Sequence, residues 1–382
     1  MFPYYLVFII AFFYYLATNN KNIRSNTLLF LFFSYLALFV GLGDMIGGYD
    51  RYIYGECFDF ISDAVHGKEA KLQDTLYLVN GSEYGYWIWQ VFVGFFTRNR
   101  YIFILLSTIL MYVLYYIAFR QYIKNYPLAC IIFLGVFYYF TMTYIRQTIA
   151  VGIVWLSVRY IWERKPLPFF ALILLAFSFH NAAAVFIPMY FLPIRKFSQN
   201  TIIAFLTVCL ILGLTPLPSF LMSSTGDSMG MSSRTASYAG QEMVGFRLEY
   251  LLEAIFFTTI FFINYKIVPR TKHALTFLNM SLMFCGFLLL FIRFGQGGRF
   301  GWFFFIGIIY LFSYLSMNKK VASWMKPLTL LFSFLLFLRI TFSWTELLIP
   351  YKTFLTNGPS SSQLTAERYE YDRVYENDKF YR

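Results

Sequence analysis

The chain has 382 residues, of which 59% are hydrophobic and 13% charged, and its mean hydropathy is +0.58. Soluble domains carry about 25% charged residues, so this composition argues against several soluble domains and for one polytopic membrane domain. The formal net charge of +12 is spread over short loops between apolar runs, which argues against nucleic-acid binding and fits the positive-inside rule. The aromatic share of 23%, with 48 Phe and 32 Tyr, suits lipid-facing and interfacial positions. Cys57, Cys130, Cys209 and Cys285 form no CxxC or Cys/His spacing, so neither a disulfide framework nor a zinc site is expected.

A helix that crosses a bilayer needs about 20 mainly apolar residues. The expected fold is an all-α, polytopic helix bundle. The candidate spans are 3–18, 27–43, 101–119, 127–144, 148–162, 167–180, 182–194, 200–221, 247–266, 274–293, 300–317 and 326–349, about twelve in all. The first run lacks a basic n-region and a cleavage site and reads as a retained helix. The runs 148–162, 167–180 and 182–194 are short, as extended spans or a broken hairpin would be. Lys21 and Arg24, Arg120 and Lys124, Arg164 and Lys165, Arg195 and Lys196, Lys266 to Lys272, and Lys319 and Lys320 then share one side, the cytoplasmic one. The long loops 44–100 and 222–246 fall outside, together with the tail. The segment 84–97 is short for a span and carries Trp87 and Trp89, so it reads as an interfacial helix; as a span it would reverse the side of everything after it. Arg98 and Arg100 then lie outside, against the charge rule. Residues 1–355 form one transmembrane domain. Residues 356–382, polar and mixed in charge, read as a solvated tail.

The informative signal is charge within apolar runs. Arg146, His180, Glu249, Glu253, Arg293 and Arg299 lie inside or beside expected spans, where an unpaired charge costs several kcal/mol. In GGYDRYIY, residues 47–54, Asp50 and Arg51 sit among Tyr49, Tyr52 and Tyr54. Rings beside charged groups make a sugar-binding set, and equally an interfacial tyrosine belt with a helix cap. In YIRQTIA, residues 144–150, Arg146 opens a helix at the positive end of its dipole, which is locally unfavourable. A diphosphate partner gives it a reason to be there, because the guanidinium meets phosphate in a bidentate way. Snorkelling to the interface is the competing account. In AFSFHNAAAVFIP, residues 176–188, His180 lies between two short runs, as a general base or as a structural histidine. In RFGQGGRFGWF, residues 293–303, Arg293 and Arg299 flank a glycine-rich turn that fits an anion site or a plain hairpin. In FRLEYLLEA, residues 246–254, Glu249 and Glu253 share a helical face, and pairing with arginine is the expected state.

Together these residues resemble the EpsG family of bacterial exopolysaccharide proteins, relatives of the Wzy O-antigen and capsule polymerases. The resemblance rests on Gly48, Tyr49, Asp50 and Tyr54; on Glu83, Tyr84 and Gly85; and on Ile145, Arg146, Gln147, Ile149 and Ala150. It continues with Ala176, Phe179, His180 and Ala183, then Arg299, then Pro350 and Tyr351. The IRQ and FH elements at this separation are its specific part. Ala182 stands two residues after His180, where the family often shows Ser.

The resemblance implies a glycosyltransferase-C-like or Wzy-like bundle in the bacterial cytoplasmic (inner) membrane. It implies a polymerase that moves a growing chain onto the next oligosaccharide unit linked to undecaprenyl diphosphate, without metal or cofactor. A flippase and a chain-length regulator are the implied protein partners, with the bilayer and no nucleic acid. The implied site has His180, Asp50 and Glu83 for proton transfer, and Arg146, Arg293 and Arg299 for the diphosphate. Arg51, Tyr49, Tyr54, Gln147, Glu253 and Tyr351 are the residues for the sugars. A flippase for the same lipid-linked sugar, or a membrane acyltransferase acting on polysaccharide, are the competing readings. The first is disfavoured by the absence of a sequence repeat.

The basic-loop pattern generates a topology prediction. In a cysteine-free background, Ser232→Cys and Gly297→Cys should react with an impermeant thiol reagent added outside. Labelling of Ser25→Cys in their place would overturn the orientation.

Overall fold

The computed structural model describes residues 1–18, 22–68, 71–77, 83–218, 245–295, 297–360 and 371–382. Most of the expected outer loop 222–246, including Ser232, lies outside the described residues. Within them the protein is helical, with one isolated antiparallel bridge between Gly43 and Thr353. The helices in chain order are α1 (Phe2–Ala17), α2 (Asn26–Leu42), α3 (Tyr49–Val65), α4 (Tyr84–Gly94), α5 (Arg100–Tyr122), α6 (Tyr126–Val136) and α7 (Ile145–Ser157). They continue as α8 (Arg159–Glu163), α9 (Pro166–Phe179), α10 (Pro188–Phe191), α11 (Gln199–Leu214), α12 (Leu248–Ile263) and α13 (Lys272–Leu290). The last are α14 (Gly298–Gly301), α15 (Phe305–Leu315), α16 (Ala322–Ser343), α17 (Thr345–Leu348) and α18 (Val374–Asn377).

Each of the twelve apolar runs is mainly helical over its described residues. By length and composition alone, α5, α13, α16 and the run Gly298–Leu315 are able to cross a bilayer, and six other apolar helices are shorter. Twelve crossings therefore exceed what the helices themselves show. The helix starts follow local chemistry. Ser25, Asn99, Asn125, Ser198 and Thr271 each accept a backbone N–H of the first turn, which satisfies donors that the helix leaves unpaired. Helix α4 has eleven residues, about half of what a span requires. It lies against α3 and α9.

The two ends of the bundle differ. At one end Tyr126 N donates to Ile23 O (3.1 Å), and Tyr122 Oη donates to Trp155 O (2.8 Å). There the Trp162 ring meets His273 at 4.8 Å, and Lys196 Nζ donates to Val268 O (2.9 Å). These contacts gather the basic turns around Arg24, 120–124, 164–165, 195–196 and 266–272 at a single end. At the other end the chain crosses itself repeatedly. Gly47 N donates to Leu347 O (2.9 Å), and Asp44 N to Lys352 O (2.9 Å). Gly47 and Gly48 have φ of +86° and +98°, a region that L side chains rarely adopt. A Cβ on Gly47 would sit 2.8 Å from Met142 Cβ. The GGY turn is therefore a packing device that brings α3 onto residues 138–143.

Three expectations are corrected here. Arg51 is 1% exposed, and its guanidinium donates to Met142 O (3.0 Å), Val40 O (2.8 Å) and Gly43 O (2.8 Å). It ties three chain segments together and has no face left for a sugar. Tyr351 stacks on Phe39 with centroids 4.4 Å apart and donates to Phe39 O (2.9 Å), so it too is a packing residue. Residues 371–382 of the tail are docked rather than solvated. Tyr375 Oη donates to Asp59 (2.8 Å), Arg382 pairs with Asp63 (2.5 Å), and Lys379 is fully buried against Asp44 (3.0 Å). Its polar composition hid this, because its partners are carboxylates more than 300 positions away.

Helix α6 is buried along its whole length. A Cβ on Gly135 would lie 2.6 Å from Ser333 O of α16, so glycine sets the close approach of these two helices. Gly135→Val should lower stability in detergent by about 1–3 kcal/mol. A thermal midpoint equal to that of the parent protein would show that the helices are not in contact there.

Candidate active site

The site assembles at the end opposite the basic turns. Glu83 precedes α4 and is 2% exposed. Arg146 lies in the first turn of α7, and its guanidinium pairs with Glu83 Oε2. His180 terminates α9 with an extended backbone, and its Nδ1 lies 2.8 Å from Glu83 Oε1. Asn181 N adds a longer contact to the same oxygen, at 3.4 Å. One buried carboxylate therefore holds residues 146 and 180 together. The Arg146 guanidinium also stands over the rings of Tyr54 (5.1 Å) and Tyr86 (5.9 Å), where ring faces favour a cation.

This geometry explains an arginine at the positive end of a helix dipole: Glu83 neutralises it. Burial pushes the Glu83 carboxyl up, but Arg146 and then His180 outweigh that and hold it down to about 2. An ionised carboxylate accepts, so His180 donates to it from Nδ1, and in the neutral ring of that tautomer the lone pair is on Nε2. Among the described residues Nε2 has no hydrogen-bond partner, and the side chain is 26% exposed. A fixed tautomer with an accessible Nε2 is the arrangement of a general base oriented by a carboxylate.

Beside this cluster lies a cavity of about 360 Å³. Arg247, Arg299 and Arg339 line it, with Glu253 as the carboxylate among the lining residues. Arg299 stands over the Tyr144 ring at 3.9 Å and has no carboxylate partner among the described residues. Arg247 approaches Glu249 (3.3 Å), and its buried Nε is unpaired. Arg339 pairs with Glu253 at 2.7 Å. Both carboxylates of the FRLEYLLEA motif are thus paired, as expected. Aromatic rings form the rest of the wall: Trp302 stacks on Phe140 at 4.3 Å, and Trp344 meets Tyr144 edge-on at 6.4 Å. Gln147 joins cavity and cluster, since its Nε2 donates to Arg299 O (2.9 Å). Tyr144 and Arg146 are two residues apart at the start of α7, so the one faces the cavity and the other holds Glu83.

Residues 26–353 match the family model of the EpsG family. The chain belongs to the EpsG family. The family is one of Wzy-like polysaccharide polymerases, and the match runs from the start of α2 across the whole site. No curated protein and no solved structure matches the chain.

The EpsG match and the structure together sort the residues expected from sequence. Glu83, Arg146, His180 and Tyr54 form one cluster, while Arg299 and Glu253 line the adjoining cavity and Gln147 connects the two. Arg293 is elsewhere: its Nη1 donates to Leu214 O (3.0 Å), and it does not line the cavity. Asp50 and Tyr49 open α3, with Tyr49 exposed, and neither lines the cavity. Sequence reading missed Arg247, Arg339, Tyr144 and Tyr250. Arg339 carried the same signal as the others, a charge inside the run 326–349. Arg247 stood within the FRLEYLLEA motif, where attention went to the glutamates. The tyrosines have no signal in so aromatic a chain.

Glu83 titrates below its ordinary value of 4.5, so its contribution to stability is complete above that pH. It is lost as pH falls towards 2, and amounts to about 3 kcal/mol. The unfolding midpoint in detergent should therefore drop across this acid window. Glu83→Gln should flatten that drop and cost about 3–5 kcal/mol at neutral pH, because Arg146 is left buried without its partner. An unchanged acid profile in Glu83→Gln would show that the cluster does not carry the effect.

Proposed function

We propose that this EpsG-family protein polymerises lipid-linked oligosaccharide units at the outer face of the bacterial cytoplasmic membrane. Undecaprenyl diphosphate is the carrier. The reading is supported chiefly by the pairing of a carboxylate-oriented histidine with a cavity that holds three arginines against one glutamate. In the reaction the bond between the anomeric carbon of the growing chain and the diphosphate oxygen breaks. A hydroxyl of the incoming lipid-linked unit forms the new glycosidic bond at that carbon. Its proton goes to His180 Nε2, and the lipid diphosphate leaves with the bonding pair.

The residues divide the work. His180 is the catalytic base, and a base so placed contributes about 10²–10⁴-fold. Glu83 and Arg146 are positioning residues that fix its tautomer and ring. This moves Arg146 from the diphosphate to the carboxylate. Arg299, Arg247 and Arg339 meet the charge that develops on the leaving diphosphate, where preorganised cations in a water-poor site act most strongly. Tyr144 and Trp344, partly exposed in the cavity wall, offer ring faces to sugars.

The test is chain growth on a gel with purified protein and lipid-linked repeat unit. His180→Gln, which keeps hydrogen bonding but cannot take up the proton, should slow elongation by about 10²–10⁴-fold, as badly as His180→Ala. Arg299→Lys should also fail, because lysine lacks the bidentate fork. A near-parental rate for His180→Gln would remove the base role from this residue. Movement of the intact lipid-linked unit across vesicles without elongation would reject the polymerase reading in favour of a transporter.

A further inference from the structure

The cavity has a side wall made by α12 and α16. The two helices pack through Phe256 and Phe332, stacked at 4.8 Å. One turn from Phe256 on α12, and two turns from Phe332 on α16, they are bridged again by Glu253 and Arg339 at 2.7 Å. Both of these residues line the cavity, and the Arg339 side chain is 50% exposed. The flanking surface is apolar and faces outward: Leu252 and Ile255 on α12, Leu335 and Phe342 on α16, are each more than half exposed. Leu335 and Phe342 are four residues before and three after Arg339, so a half-exposed cation of the cavity wall shares a helical face with exposed apolar side chains, the pair of surfaces an amphiphile needs. The amphiphile that fits has an anionic head for the cavity and a hydrocarbon tail that remains among the outward apolar side chains.

We propose that the Glu253–Arg339 ion pair is the latch of a lateral portal for a prenyl diphosphate, and that the diphosphate displaces Glu253 from Arg339 as it enters. This rests on the lipid-diphosphate reading given above. The exchange is physically reasonable. A partly exposed ion pair contributes little net stability, whereas a bidentate, charge-assisted contact from arginine to phosphate is among the stronger polar contacts. Glu253 also places a negative charge beside the path of an anion, so the closed latch screens out lipids whose headgroups cannot replace it at Arg339.

The portal makes the two partners act with opposite sign, which a purely structural clasp would not. Binding to the purified full-length protein is measured with farnesyl diphosphate as the probe and farnesol as the uncharged control. Glu253→Gln frees Arg339 and removes the repulsion, so the diphosphate should bind about three- to tenfold more tightly. Arg339→Gln should weaken it about tenfold or more, and Arg339→Lys should recover only part of that loss. Farnesol binding should not change in any variant. Thermal midpoints establish that each variant is folded. Weaker diphosphate binding in both Glu253→Gln and Arg339→Gln, or no change in either, overturns the proposal. The two readings fail separately. Elongation by the parent protein with same-sign effects in the two variants sinks the portal alone. Opposite-sign effects without any elongation keep the portal and sink the polymerase reading.

Discussion

A carboxylate that is 2% exposed stays ionised when its surroundings supply compensating charge and hydrogen bonds. Glu83 has both, from Arg146 on one oxygen and His180 with Asn181 on the other. These groups come from the loop before α4, from the first turn of α7 and from the end of α9. The carboxylate therefore fixes the relative placement of three helices, and it sets which ring nitrogen of the histidine donates to it. Removing one partner would leave an uncompensated charge in the interior, which is far more costly than the net gain from forming the pair. Fold and chemistry at this end of the protein thus depend on the same contact.

The cavity follows from this arrangement. With α7 held at its N-terminus, Tyr144 faces inward under Arg299, and Gln147 secures the backbone of the turn that carries Arg299. Arg51 performs a similar service by binding three carbonyls at the junction of α2, α3 and residues 138–142. The docked tail adds a further clamp on α3 through Asp59 and Asp63. Polar residues at this end are thus divided between those that build a rigid frame and those that face the cavity. Among the described lining residues three arginines stand against one glutamate, which gives the cavity wall an excess of positive charge.

Much of this was legible in the sequence because hydrocarbon penalises charge. Arg146, His180, Glu253 and Arg299 stood out against their apolar surroundings, and each lies in the cluster or the cavity. The IRQ and FH elements pointed to the EpsG family, and the family match covers them. The helical character of all twelve runs also followed from hydropathy. The same signal pointed to Arg339, which lay unnoticed in a run taken as a plain span. It also pointed to Arg293, which instead caps a carbonyl at the end of the neighbouring helix α11.

Composition and hydropathy by themselves determined that the chain is a bundle of apolar helices, and that its rare charges must be paired or solvated. Both follow from the transfer cost of each residue, which needs no knowledge of its neighbours. Which charges meet is a question of pairing across long sequence separations, and the tertiary structure alone decided it. Glu83 meets residues 63 and 97 positions away. Arg51 and Tyr351, which read as sugar contacts, were claimed by backbone carbonyls that no pattern of residue types announces. The docked tail is the same case: polar residues look solvated until the fold brings buried carboxylates to them.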